Sequence, residues 1–194
     1  SGNAGSINNW QQIRGADGFQ MAFNPDDPLN FYAETQNGGI GVTQNGNNFS
    51  SATGGIINSD RRNWDMQYFI SPHESNTLYT GTFRVYKSTD RGANWEIISP
   101  DLTTNDPNKQ KQTESGGLTY DATGAENHTT IVSISASPRK DGIIWVGTDD
   151  GNLQATSDGG KNWSNLSNNL PNVPADSSIS HVELSNHNAN TAYV

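Results

Sequence analysis

At 194 residues, with a net charge of −9 and no cysteine, the chain excludes disulfides, thiolate metal sites and general electrostatic binding to nucleic acid or acidic membranes. Only 31% of residues are hydrophobic, and no run of about 18 apolar residues predicts a membrane span. Twenty glycines among many Asn, Ser and Thr suit turn-dense β-repeats whose short strands share cores between neighbours.

Taken from the N-terminus, Asn9-Trp10 reads as the tail of an incomplete unit. Residues 19–23 predict a first strand. The turn Asn24-Pro25-Asp26-Asp27-Pro28 then leads into Leu29-Asn30-Phe31-Tyr32-Ala33. The same device returns at Ser71-Pro72-His73-Glu74 before Leu78-Tyr79-Thr80, after a predicted strand over 65–70. It returns again at Ser137-Pro138-Arg139-Lys140 before Ile143-Ile144-Trp145-Val146, and at Ser185-Asn186-His187-Asn188 before Ala192-Tyr193-Val194. In the third unit, residues 129–137 alternate and predict the innermost strand. Strands over 143–148, 153–156 and 162–166 follow, with Asp149-Asp150-Gly151-Asn152 as a turn.

Each unit closes on a clamp. Ser88-Thr89-Asp90-Arg91-Gly92-Ala93-Asn94-Trp95 and Thr156-Ser157-Asp158-Gly159-Gly160-Lys161-Asn162-Trp163 share the pattern S/T-x-D-x-G-x-N-W. The hydroxyl and carboxylate bond backbone amides within a tight turn, and the glycine takes positive φ. The tryptophan covers the turn with apolar area. On this mechanical reading Ser88, Asp90, Gly92, Trp95, Thr156, Asp158, Gly160 and Trp163 hold the hairpin. Thr43-Gln44-Asn45-Gly46-Asn47-Asn48-Phe49 is a worn copy, one residue shorter, with Asn for Asp and Phe for Trp.

The distance from clamp aromatic to next turn is 23 residues from Phe49 to Pro72 and from Trp163 to Asn186, but 43 from Trp95 to Pro138. A polar insertion over 103–127 accounts for the excess. Without it the period is about 47 residues, which suits a four-stranded propeller blade. The expected division is a blade remnant at 1–15, blades at 16–57 and 58–102, the insertion at 103–127, a blade at 128–170 and a half blade at 171–194. The fold class is all-β: about four consecutive four-stranded β-propeller blades of an incomplete ring. Fifteen strands do not close one, so the remainder of the propeller or another chain is expected to complete it.

The clamps resemble Asp-box (bacterial neuraminidase-type) repeats. The chain is similar to the sortilin/VPS10-like branch of Asp-box propellers, particularly its bacterial members, through Ser99-Pro100-Asp101-Leu102-Thr103-Thr104, Thr123-Gly124-Ala125-Glu126 and Ile144-Trp145-Val146-Gly147-Thr148-Asp149-Asp150-Gly151. The resemblance implies clamps at the lower rim and ligands at the opposite, upper face. That face is built from the loop leading into each blade and the turn between second and third strands. It selects Arg61, Arg62 and Trp64 on one leading loop, Asp121 and Glu126 on another, and Arg84, Asp149 and Asp150 at the inner turns. These guanidinium, carboxylate and indole groups suit a protein or carbohydrate ligand. The bland reading is solvated loops with locally paired charges, and Asp149-Asp150-Gly151 reads equally as a tight turn.

Proteins with this repeat include sialidases, xyloglucan hydrolases, sorting receptors and assembly factors, so fold alone does not assign chemistry. A glycosidase requires two opposed acids roughly 5–10 Å apart, here among Asp65, Asp121, Glu126 and Asp149. A sialidase requires an arginine triad and a Tyr–Glu pair. Phe83-Arg84-Val85-Tyr86 matches a sialidase signature in two letters but in the wrong part of a blade. The four histidines, His73, His128, His181 and His187, are too scattered for a metal site, and no cofactor is expected. The leading expectation is a non-catalytic binding or assembly module, extracellular, periplasmic or cell-surface. A glycoside hydrolase and a structural subunit are the alternatives.

Overall fold

The structure is a computed structural model and describes residues 12–111 and 127–194. It is all-β, with three four-stranded antiparallel sheets and one two-stranded sheet. The first sheet runs β1 (Met21–Phe23), β2 (Phe31–Ala33), β3 (Gly41–Thr43), β4 (Phe49–Ser51). The second runs β5 (Tyr68–Ile70), β6 (Leu78–Gly81), β7 (Val85–Ser88), β8 (Glu96–Ile97). The third runs β9 (Ile131–Ala136), β10 (Ile144–Thr148), β11 (Leu153–Thr156), β12 (Ser164–Asn165). A hairpin of β13 (Glu183–Leu184) and β14 (Ala192–Tyr193) follows.

Every sheet pairs strands in chain order, as successive tight turns require. The registers of β2, β6 and β10 coincide: Phe31 opposes Phe23, Leu78 opposes Ile70, and Ile144 opposes Ala136. First strands lie nearest the neighbouring sheets, with β1 against β5 and β9 against both β6 and β13. Each sheet is thus a blade. Leading loops and the β2–β3, β6–β7 and β10–β11 turns share the upper end, and the clamps share the lower.

The two complete clamps are atomically alike. Ser88 Oγ donates to Asp90 Oδ1 at 2.8 Å and accepts Gly92 N–H at 2.9 Å, while Asp90 accepts Asn94 N–H at 2.8 Å and its side-chain amide at 2.7 Å. Thr156, Asp158, Gly160 and Asn162 repeat these bonds at 2.8, 3.1, 3.0 and 2.7 Å. Each tryptophan reaches back into the preceding blade, Trp95 Nε1 donating to Ala52 O at 2.8 Å and Trp163 Nε1 to Ile98 O at 3.0 Å. In the worn copy, Asn45 Oδ1 accepts Asn47 and Asn48 N–H at 3.0 Å each. Phe49 packs edge-on to Phe31 instead.

The cores lie in the seams between blades. Trp95 is buried with Tyr32, Ile40, Ala52, Ile56 and Tyr86 between the first two blades. Val85, Leu102, Ile131 and Val146 fill the second seam, and Leu153, Ile179 and Val182 the third. Part of the predicted insertion is a single 3-10 turn, Pro107–Gln110, whose leading Asp106 caps Asn108 N–H at 2.9 Å.

Candidate functional site

The loop between β4 and β5 organises the upper end because it touches three blades. Arg61 Nε donates to Thr129 Oγ1 at 2.9 Å and Nη2 to Asp101 Oδ2 at 2.9 Å. Asn63 Nδ2 reaches Thr130 Oγ1 at 3.4 Å. The Thr129 and Thr130 contacts lead to the third blade. Towards the first blade, Asn37 N–H donates to Trp64 O at 2.9 Å and Met66 N–H to Glu34 Oε1 at 3.0 Å. Backbone bonds thereby fix where Trp64 and Asp65 stand.

Most of the sequence-selected charges are consumed by local partners. Arg84 grips Asp60 through Nε at 2.8 Å and Nη2 at 2.6 Å. Asp60 also accepts the Tyr86 hydroxyl at 2.5 Å and Thr82 Oγ1 at 3.3 Å. Burial pushes the Asp60 carboxyl up, but the Arg84, Tyr86 and Thr82 bonds outweigh it and hold the group below its ordinary value. The Asp60 hydrogen bond in turn raises Arg84 further. Arg61 and Arg84 stack on Phe83, 4.5 and 4.7 Å from its ring centre. Arg62 binds backbone carbonyls, Asp60 O at 3.2 Å and Ile57 O at 2.5 Å.

The two aspartates of the third blade hold loops together. Asp149 accepts Thr130 N–H at 2.9 Å and Oγ1 at 2.7 Å, and burial pushes its carboxyl up against those bonds. Asp150 is wholly buried; it accepts Thr104 N–H at 2.8 Å, Thr104 Oγ1 at 2.6 Å and Thr148 Oγ1 at 2.5 Å. Arg61, Asp101, Asp149 and Asp150 thus gather at the seam of the second and third blades. Asp121 and Glu126 lie outside the described residues.

The seam of the first and second blades is different in kind. Four side-chain oxygens there, Gln20 Oε1, Glu34 Oε2, Gln36 Oε1 and Asp65 Oδ1, are sealed from solvent and have no hydrogen-bond partner. The Tyr32 hydroxyl of the same seam is likewise unpaired, and a protonated Glu34 carries an O–H donor of its own. Burial, then the charge of Asp65, pushes the Glu34 carboxyl up to about 8, and burial raises Asp65 as well. At neutral pH Glu34 therefore carries its proton. Trp64, which precedes Asp65 in the chain, is half-buried.

Sequence reasoning selected Trp64 and Asp65 here but missed Glu34, Gln20 and Asp60. A signal for Glu34 exists: it stands nine residues after Pro25, where the next units have Gly81 after Pro72 and Gly147 after Pro138. Asp60 offers no such signal. Among the described residues, no three His, Cys, Asp or Glu side chains converge as metal ligands, and no helix is long and apolar enough to cross a membrane.

No protein-family model and no curated protein sequence matches the chain. Solved structures do. An ancestral GH74 enzyme superposes with a TM-score of 0.57 at 19% identity, over 95% of this chain and 22% of that one. The GH74 xyloglucanase from Xanthomonas campestris gives 0.52 at 18% identity over 80% and 23%, and a GH74 enzyme of Niastella koreensis 0.50 at 22% identity over 87% and 24%. The chain thus spans less than a quarter of each. The likeness is one of fold, that of Asp-box-type β-propellers.

Proposed function

We propose that the chain is a binding module of a sortilin/VPS10-like Asp-box propeller that takes a protein or glycan ligand at its upper loops, outside the cytoplasm or at a cell surface. One observation carries this reading: the clamps' polar groups are tied into their own turns, whereas the first upper seam holds buried polar groups without hydrogen-bond partners, those of Gln20, Gln36 and Asp65 among them. Buried polar groups are normally paired, and exceptions call for an explanation. A ligand that parts the upper loops reaches these groups with hydroxyl or amide donors, and the Trp64 indole supplies an apolar face with an N–H. Arg61, Arg62, Arg84, Asp149 and Asp150 then shape the surrounding loops. The test is affinity for panels of immobilised glycans and peptides. Trp64→Ala and Asp65→Asn should each weaken capture at least tenfold without altering far-UV circular dichroism. Capture unaffected by both substitutions would refute the assignment.

A second reading, glycoside hydrolysis, is favoured by the Glu34–Asp65 pair alone. Such chemistry needs one protonated and one ionised carboxyl, and Glu34, raised to about 8, would supply the protonated member with Asp65 as the second carboxyl. It requires release of reducing ends from a neutral polysaccharide by the native chain and its abolition by Glu34→Gln. Capture without turnover leaves the binding reading standing.

A further inference from the structure

Thr35-Gln36-Asn37-Gly38 and Thr43-Gln44-Asn45-Gly46 are the same four residues at opposite ends of the first blade. The first set forms the upper β2–β3 turn and the second opens the worn clamp. An asparagine followed by glycine can react with its own backbone: the glycine nitrogen attacks the asparagine Cγ, and no Cβ obstructs it. The fold treats the two copies differently. At the upper turn the reacting groups are held. Asn37 N–H donates to Trp64 O at 2.9 Å, and the N–H of buried Gly38 is among the backbone groups bonded to the Glu34 carboxyl. A Cβ on Gly38 would strike Met66.

In the worn clamp Asn45 is exposed, and Gly46 N–H has no hydrogen-bond partner among the described residues. Space around the glycine is open: a Cβ there would find Leu29 Cδ2, at 3.8 Å, as its nearest contact beyond the adjoining residues. The clamp bonds meanwhile converge on the atom that must carry charge. Asn45 Oδ1 accepts the Thr43 hydroxyl at 3.2 Å and the N–H groups of Asn47 and Asn48 at 3.0 Å each. Negative charge gathers on this oxygen when the nitrogen adds to Cγ. The three donors are thus a preorganised oxyanion hole for that step.

We propose that Asn45 is a self-modification site, at which the worn clamp gains the carboxylate of a complete one. Gly46 N adds to Asn45 Cγ, its proton passes through solvent to Nδ2, the Cγ–Nδ2 bond breaks and ammonia leaves. Water then opens the succinimide. Opening at Cγ returns the ordinary backbone with aspartate at position 45, and opening at the main-chain carbonyl gives isoaspartate. Only the first product keeps the spacing of the clamp. In the intact clamps, bonds from Asn94 and Ser88 hold Asp90 below its ordinary value, and those from Asn162 and Thr156 hold Asp158 at about 2. A carboxylate at position 45 meets the same kind of donors, and bonds to a charged acceptor are the stronger kind.

The test ages the full chain in mildly alkaline buffer, once folded and once in urea, and follows both asparagines by peptide mass spectrometry. In urea the identical tetrapeptides should convert within twofold of each other. In the folded chain Asn45 should convert at least tenfold faster than Asn37, with a higher ratio of aspartate to isoaspartate than in urea. Gly46→Ala crowds the attacking nitrogen and should slow conversion at least tenfold. Asn45→Asp should unfold at a higher temperature than the native chain. The proposal is overturned if Asn37 keeps pace with Asn45 in the folded chain, or if Gly46→Ala converts at the native rate. It is equally overturned if folding leaves the product ratio unchanged, or if Asn45→Asp unfolds at or below the native temperature.

Discussion

Glu34 occupies a register position that glycine holds in the other two complete blades, where close approach of the next unit is the rule. A Cβ on Gly81 would lie 2.7 Å from Ile131 Cγ2, and one on Gly147 would strike Ile179. In the first seam a whole carboxyl group takes that space, held by Met66 N–H and raised to about 8. The folded state thus keeps a proton that the unfolded chain releases near 4.5. Between those values folding binds more protons than unfolding, so stability falls as pH rises and levels off above about 8. Chemical denaturation of Glu34→Gln at pH 5 and pH 8 should show a smaller pH difference than the native chain. Equal differences would contradict a protonated Glu34. Asp60 runs the other way: its lowered value gives stability present above the ordinary carboxylate range and lost on acidification. Its side chain is 3% exposed, so Arg84→Met strands a buried charge and should cost about 3–5 kcal/mol. The Arg61–Asp101 pair, each side chain 25% exposed, should cost about 1 kcal/mol or less when Arg61 becomes methionine. Urea melts of the two variants compare these directly.

The clamps differ in how far their aromatic residues are enclosed, and that orders their contributions. Trp95, 5% exposed, donates to Ala52 O within the largest core cluster, so Trp95→Ala should destabilise by about 3–5 kcal/mol. Half-buried Trp163 should cost less, and half-buried Phe49, which packs on Phe31 of its own blade and on Arg14, least. Thermal unfolding of the three alanine variants would check that ranking. These hairpins were the most legible part of the chain, because a short polar pattern repeats with its tryptophan and its bonds are local. Strand positions were legible too. Residues 153–156 form a strand as expected, and residues 129–137 contain β9. The fourth strand is shorter than its predicted span, since Asn162 is bound by Asp158 and Trp163 is turned to the preceding blade. The site was less legible. Its groups meet across long separations, Thr104 with Asp150 and Glu34 with Met66, and no local pattern encodes them. Asp150 lies in the predicted turn between β10 and β11, yet it is wholly buried.

At the scale of the whole molecule, blades contact only their neighbours, as in other repeat architectures, and stability is shared through seams. The second and third blades have seams on both sides among the described residues, whereas β13 and β14 add two short strands to one side. Amide exchange should therefore be slowest in β5–β7 and β9–β11 and fastest in β14. Uniform exchange across the blades would instead mean a single cooperative core. The backward reach of the indoles also sets an order of events. The carbonyls of Ala52 and Ile98 wait for residues 43 and 65 positions later in the chain. At a ribosome adding roughly 5–20 residues per second, that is a lag of roughly 2–13 s. Each nascent unit stays unfinished on its trailing flank until its successor emerges.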